Sequence, residues 1–208
     1  MDLYAAPMAC SLACHIAALE VDLPIVLHYV NTATKKTEDG EDYRKIAPNG
    51  YVPALRLPTG QILNEVPSVL LWMADRDPDR GLAPAFATFE RYQLIDIMNY
   101  FSTEVHKRVF YPLFSPSSPA ASKEAAKLLL APTLDSIAVR LGDRPYLIGD
   151  KFTVADAYLV TFLNWFRHLD IDLKGWPGIE AYHQRQLRRP AVARAMAEEI
   201  REFKRRAA

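Results

Sequence analysis

Two kinds of apolar pattern divide the chain near residue 80. In the first part, short apolar runs alternate with amphipathic ones. Residues 3–6 predict a strand, and Leu12, Ile16 and Leu19, at spacings of four and three, predict a helix. The β-branched run at 25–30 predicts a second strand. Residues 52–57 and 61–64 flank Leu57-Pro58-Thr59-Gly60, with Pro and Gly where a type I turn favours them, which predicts a hairpin. An apolar helix at 69–74 closes the unit. The order β-α-β, irregular segment, β-β-α suits a small mixed sheet with helices packed on it.

Residues 77–84 are dense in turn formers and read as a linker. Beyond them the strand pattern disappears. Phe89, Tyr92, Ile95 and Met98 set a helical period running towards Phe110. Ser115-Pro116-Ser117-Ser118-Pro119 interrupts it, and residues 122–141 resume it with an expected kink at Pro132. Thr153-Val154-Ala155-Asp156 predicts a capped helix start ahead of the apolar run to Phe166. Two more helices are expected, separated near Arg189-Pro190. The reading is thus an α/β unit at 1–80 and an all-helical unit at 87–208.

Composition narrows the class of function. Half of the 208 residues are apolar, and Lys+Arg and Asp+Glu both number 25. That balance gives no electrostatic reason to expect nucleic acid or an anionic membrane as partner, and does little to oppose self-association. No basic segment leads into a long apolar core, so no signal peptide is expected. The longest apolar stretch, near 158–166, is too short to span a bilayer. A soluble, cytoplasmic protein is the expectation.

Only Cys10 and Cys14 are cysteines, and their spacing on a helix serves a structural disulfide poorly. His15 alone does not complete a zinc site, so no metal is expected. Cys10 stands where the first strand hands over to the first helix, where free N–H groups and the helix dipole favour a thiolate. A buried structural cysteine is the competing reading, and the better one for Cys14. Were Val52-Pro53 cis, the Val52 backbone would face outward, free to pair with an extended peptide. Asn64-Glu65-Val66-Pro67-Ser68 opens a helix whose free N–H groups suit a carboxylate, while Glu65 suits an ammonium. An ordinary helix start accounts for the same residues. His106, Lys107 and Arg108 read by default as surface or core residues of the long helix.

Together these segments resemble the glutathione transferase family, in particular its bacterial beta class. The resemblance rests on the strand and loop through Pro7-Met8-Ala9-Cys10-Ser11-Leu12, on Ala47-Pro48-Asn49-Gly50-Tyr51-Val52-Pro53-Ala54-Leu55, on Glu104-Val105-His106-Lys107 and on Thr153-Val154-Ala155-Asp156. It implies a thioredoxin-like first domain, a helical second domain and a homodimer. Glutathione would be the co-substrate, and a small hydrophobic electrophile the acceptor. Cys10 and His106 would be catalytic. Lys35, Val52 and Pro53 would hold the peptide, and Glu65 and Val66 the γ-glutamyl end. Asn99, Thr103, Glu104, Val105 and His106 fall in the helical contact region. Phe110, Tyr111, Phe114 and Trp165 are the expected acceptor pocket, although core packing accounts for any one of them. Val66 stands where many members carry serine, and Met8 where this class often has glycine. Thiol–disulfide exchange through a Cys10 mixed disulfide and a non-catalytic glutathione- or protein-binding module are the alternative functions.

Overall fold

The structure is a computed structural model that describes residues 1–207. Four strands, β1 (Asp2–Ala5), β2 (Val26–Tyr29), β3 (Ala54–Arg56) and β4 (Ile62–Asn64), form one sheet in the order β2-β1-β3-β4. β1 runs parallel to β2, with Leu3 opposite Leu27, and antiparallel to β3, with Leu3 opposite Leu55. β3 and β4 form the expected hairpin, and Gly60 at its turn has φ +86°. That conformation suits a residue without Cβ. Helix α1 (Ser11–Glu20) is the crossover that a parallel β1–β2 pair requires, and α2 (Val66–Ala74) packs against it.

A long helical rod follows, made of α3 (Phe89–Tyr100), a π-helical segment (Phe101–Phe110) and α4 (Tyr111–Phe114). Then come α5 (Ala120–Leu128), α6 (Leu130–Leu141), α7 (Val154–His168), α8 (Pro177–Leu187) and α9 (Pro190–Ala207). A thioredoxin-like half and a helical half are therefore both present.

The two halves meet along α1. The sequence pattern predicts one buried face for this helix, but every residue from Ser11 to Ala18 is buried. The reason is tertiary: α7 and α9 cover the side that the sheet and α2 leave open, and Ala13, Ala17 and Ala18 let the backbones approach. Charged pairs pin this seam. Arg189 grips Glu20 through two hydrogen bonds of 3.0 and 2.9 Å, and Arg91 grips Asp75 through two of 2.9 Å. Such bidentate geometry is the strong form of the ion pair.

Two expectations for the helical half need correction. Of the four residues that set the predicted period, Phe89 and Tyr92 are 73% and 62% exposed, Ile95 is half-buried and Met98 is buried, beside Leu94 and Ile97. Both sides of α3 carry apolar residues, so periodicity alone does not pick the buried one. At Pro132 the chain does not kink one helix but divides it, α5 ending at Leu128 and α6 starting at Leu130. Proline has no N–H for the Leu128 carbonyl four residues back, so the break falls just ahead of it.

Candidate functional site

A cleft opens where the starts of α1, β3 and α2 face the π-helical segment. Cys10, Tyr51, Val52, Pro53, Glu65 and Val66 line it from the thioredoxin-like half, with Asn49 and Asn64 beside them. Ser102, His106, Lys107 and Tyr158 line it from the helical half. The Val52–Pro53 peptide is cis, and the Val52 carbonyl accepts a hydrogen bond from the Cys10 thiol at 3.2 Å. Glu65 sits at φ +66° ahead of α2 and caps no N–H with its side chain. A left-handed non-glycine residue beside an uncapped helix start marks a place where backbone geometry serves the cleft rather than the fold.

The loop that delivers Cys10 is held just before it. Met8 has φ +61°, its N–H donates to Glu199 at 2.7 Å, and its carbonyl accepts from the Trp165 indole at 2.8 Å. Glu199 is fully buried and also meets His15 at 3.1 Å. This tripod ties the loop to α7 and α9, and it explains how a methionine occupies a backbone conformation that favours glycine.

The helix start does not leave Cys10 as a ready thiolate. Burial pushes its thiol up to about 12, and this exceeds the opposing pull of Lys107 and of the Cys10 and Ser11 backbone donors. The expected lowering is therefore present in direction but outweighed by desolvation. Cys14 is deeper still, and burial pushes its thiol up as well. Both cysteines are free.

His106 donates to or accepts from the Tyr158 hydroxyl through Nδ1 at 2.9 Å. Burial, with help from the neighbouring Lys107 charge, lowers it to about 4, so it faces the cleft as a neutral imidazole. Lys107, which sequence pattern assigns to a solvated face, turns to the cleft with its ammonium 4.7 Å from the Tyr51 ring and 5.2 Å from the Tyr111 ring. Arg108 does take the solvated role, paired with Glu104 at 2.8 Å.

Of the residues predicted for the site, the cleft gathers Cys10, Val52, Pro53, Glu65, Val66 and His106. Lys35 stands outside the lining, donating to the Gly50 carbonyl at 2.9 Å and lying 5.2 Å from the Tyr51 ring. Asn99, Thr103 and Glu104 are exposed, and Val105 is buried in the core. Phe110 is also core, packed on Phe162 and Phe166, while Tyr111 and Phe114 are exposed. Trp165 is nearly buried, its ring 5.2 Å from His106. Sequence reasoning passes over Ser102, Lys107 and Tyr158. The spacing of four from Ser102 to His106 is a usable signal, whereas nothing local marks Tyr158. Among the described residues no group of three or more His, Cys, Asp or Glu is placed to hold a metal ion.

Comparison with known proteins places this geometry. The pattern of the glutathione S-transferase N-terminal domain matches residues 7–76, and that of the C-terminal domain matches residues 101–190. Glutathione S-transferase GstA of Escherichia coli O157:H7 is 38% identical over 96% of this chain and 98% of its own. The chain belongs to the glutathione S-transferase family. A Sphingomonas chungbukensis glutathione S-transferase described as bacterial beta class is 41% identical, with a TM-score of 0.91 over 96% of this chain and 98% of that one. A sphingomonad glutathione S-transferase solved in complex with glutathione is 39% identical, with a TM-score of 0.90 over the same shares. This family member therefore has the beta-class fold, with Cys10 and His106 facing one cleft.

Proposed function

We propose that the protein is a glutathione transferase that joins the sulfur of glutathione to small, mostly apolar electrophiles. The observation that carries the reading is the cleft itself, which brings the Cys10 thiol, the Val52 backbone and the open α2 start at Glu65 and Val66 to one wall. An extended tripeptide fits these groups in order. Its γ-glutamyl carboxylate meets the free N–H groups at Val66, its ammonium meets Glu65, its backbone pairs with Val52 and its sulfur lies at Cys10. Lys35, beside Tyr51, serves the glycine end. The reading does not need Asn99, Thr103, Glu104 or Val105. The acceptor enters past Tyr111 and Phe114, with Trp165 behind Phe114, whereas Phe110 is core and backs the pocket without lining it. Residues 1–80 then form the glutathione unit and 87–208 the acceptor unit.

In the reaction the glutathione thiol gives its proton to solvent and the thiolate attacks the electrophilic carbon. A C–S bond forms, and a leaving group, where there is one, departs with its electron pair. Holding both reactants together supplies much of the acceleration. Cys10, protonated in the buried cleft, turns its S–H from the Val52 carbonyl to the incoming sulfur. The test is retention on immobilised glutathione, a thermal shift at millimolar glutathione and turnover of an aryl halide. Absence of both retention and shift overturns the reading.

The Cys10 sulfur also faces the cleft, which supports a second reading, thiol–disulfide exchange through a Cys10–glutathione mixed disulfide. Cys10→Ala separates the two: aryl-halide conjugation largely survives in the first and disulfide reduction vanishes in the second. The exposed row Phe86, Phe89 and Tyr92 suits a second copy of the chain in a homodimer. Sedimentation as a monomer at micromolar concentration would sink that assignment. A cytoplasmic, detoxifying role is part of the same proposal; no helix among the described residues is long and apolar enough to cross a membrane.

A further inference from the structure

We infer that Lys107 supplies the positive charge that holds bound glutathione as a thiolate, an inference that rests on the transferase reading above. A thiolate in this cleft is favoured by the backbone donors at the α1 start and, more strongly, by a nearby cation. Its charged and titratable neighbours are Cys10 at the start of α1, Glu65 at the start of α2, Tyr51 ahead of β3, His106 and Lys107 on the π-helical segment and Tyr158 on α7. Tyr111 and Lys35 stand just outside. Glu65 is an acid and opposes a second negative charge. Cys10 and Tyr158 are held in their neutral forms by burial, and His106 is neutral as well. Lys107 is left as the cation lining the cleft among the described residues. Lys35 stands outside the lining, at the glycine end, and donates to the Gly50 carbonyl at 2.9 Å.

Lys107 is also held for the task. Its ammonium lies against two phenol faces, Tyr51 at 4.7 Å and Tyr111 at 5.2 Å, contacts that orient a cation without neutralising it. Its neighbour Arg108 pairs with Glu104, but no carboxylate among the described residues pairs with Lys107. The field of Lys107 reaches the sulfur position, since it is the strongest influence favouring ionisation of Cys10, and it reaches His106 too. His106 and Lys107, adjacent in sequence, both line the same cleft.

The roles of charge donor and carboxylate anchor separate experimentally. The thiolate's ultraviolet absorbance, titrated in the glutathione complex of the full-length protein, reads the bound thiol directly. For Lys107→Met the bound thiol should titrate roughly one to three pH units higher than in the unaltered protein. Turnover at neutral pH should fall about tenfold or more and recover at high pH, in line with the same displacement. Lys107→Arg should restore the wild-type profile, and affinity for S-methylglutathione, which has no thiol, should be unchanged. Lys107 is exposed on its helix, so a melting curve matching the unaltered protein is expected and confirms an intact fold. An unmoved thiol titration in Lys107→Met, or a loss of S-methylglutathione affinity, would assign Lys107 to the glycine carboxylate and overturn the inference. His106→Gln raising the bound thiol as far as Lys107→Met would overturn it in favour of the imidazole. Failure of the unaltered protein to bind glutathione is a different result, and it defeats the transferase reading first.

Discussion

Two helix starts carry an acid near the N-terminus, and the structure uses them in opposite ways. At α7 the Asp156 carboxylate is fully buried and takes four donors. These are the N–H groups of Leu147 and Thr153 at 2.9 and 2.8 Å, the Thr153 hydroxyl at 2.8 Å and the Tyr182 hydroxyl at 2.7 Å. At α2 the Glu65 carboxylate is exposed, caps nothing and stands at φ +66° beside the cleft. The chemistry is the same, free backbone donors and a carboxylate, but one site is closed by its own chain and the other is left open. Closed, it contributes stability; open, it can accept a ligand.

Asp156→Ala should break the closed site at a cost of about 3–5 kcal/mol, because four buried donors lose their acceptor. Urea unfolding reads that loss, and Asp156→Asn should recover part of it. Acid should act on both regions through the buried imidazoles. His106 at the cleft and His183 in the helical core are each lowered to about 4 by burial. The unfolded chain binds these protons near 6.5 and the folded chain does not until about 4, so stability falls as pH drops through that window and does not change from this source above it. Each histidine contributes on the order of 3 kcal/mol at the bottom of the window. Unfolding midpoints at pH 7 and near pH 4.5 test this, and His106→Gln should remove the cleft's share of the slope.

Glu65→Gln addresses the open site. Glutathione affinity should drop about 10- to 100-fold, as expected for losing a charged hydrogen bond, while stability stays within about 0.5 kcal/mol. Calorimetric titration beside a thermal melt reads both, and a large melting change would mean that Glu65 is structural after all. The smallest effect is expected at Val66, whose side chain is 4% exposed. Val66→Ser keeps the backbone donor and adds a hydroxyl, so affinity should improve a few-fold at a stability cost of about 1–2 kcal/mol. Unchanged affinity would show that the backbone N–H suffices.

Legibility followed the range of the forces involved. The four strands, the β3–β4 turn and the capped start of α7 depend on residues a few positions apart, and each was visible in local pattern. The wall of the cleft built on Cys10, Val52 and Glu65 was visible for the same reason, since prolines and helix starts announce backbone geometry. The opposite wall was less so. That Lys107, exposed on its helix, also borders the cleft depends on the first half facing the π-helical segment, which no local propensity signals. Tyr158 enters the site only because α7 crosses behind His106.

By itself, then, the sequence determined the succession of elements, the change from sheet to helices near residue 80 and the place of Cys10 at a helix start. The strand-and-turn chemistry that encodes these features is local. Tertiary structure alone decided which face of α3 is buried, that α1 is covered on all sides, and what state the Cys10 thiol holds. The helix start favours the thiolate, but burial favours the thiol more. Val52, which accepts from that thiol, is more than forty positions away, beyond the reach of any local pattern.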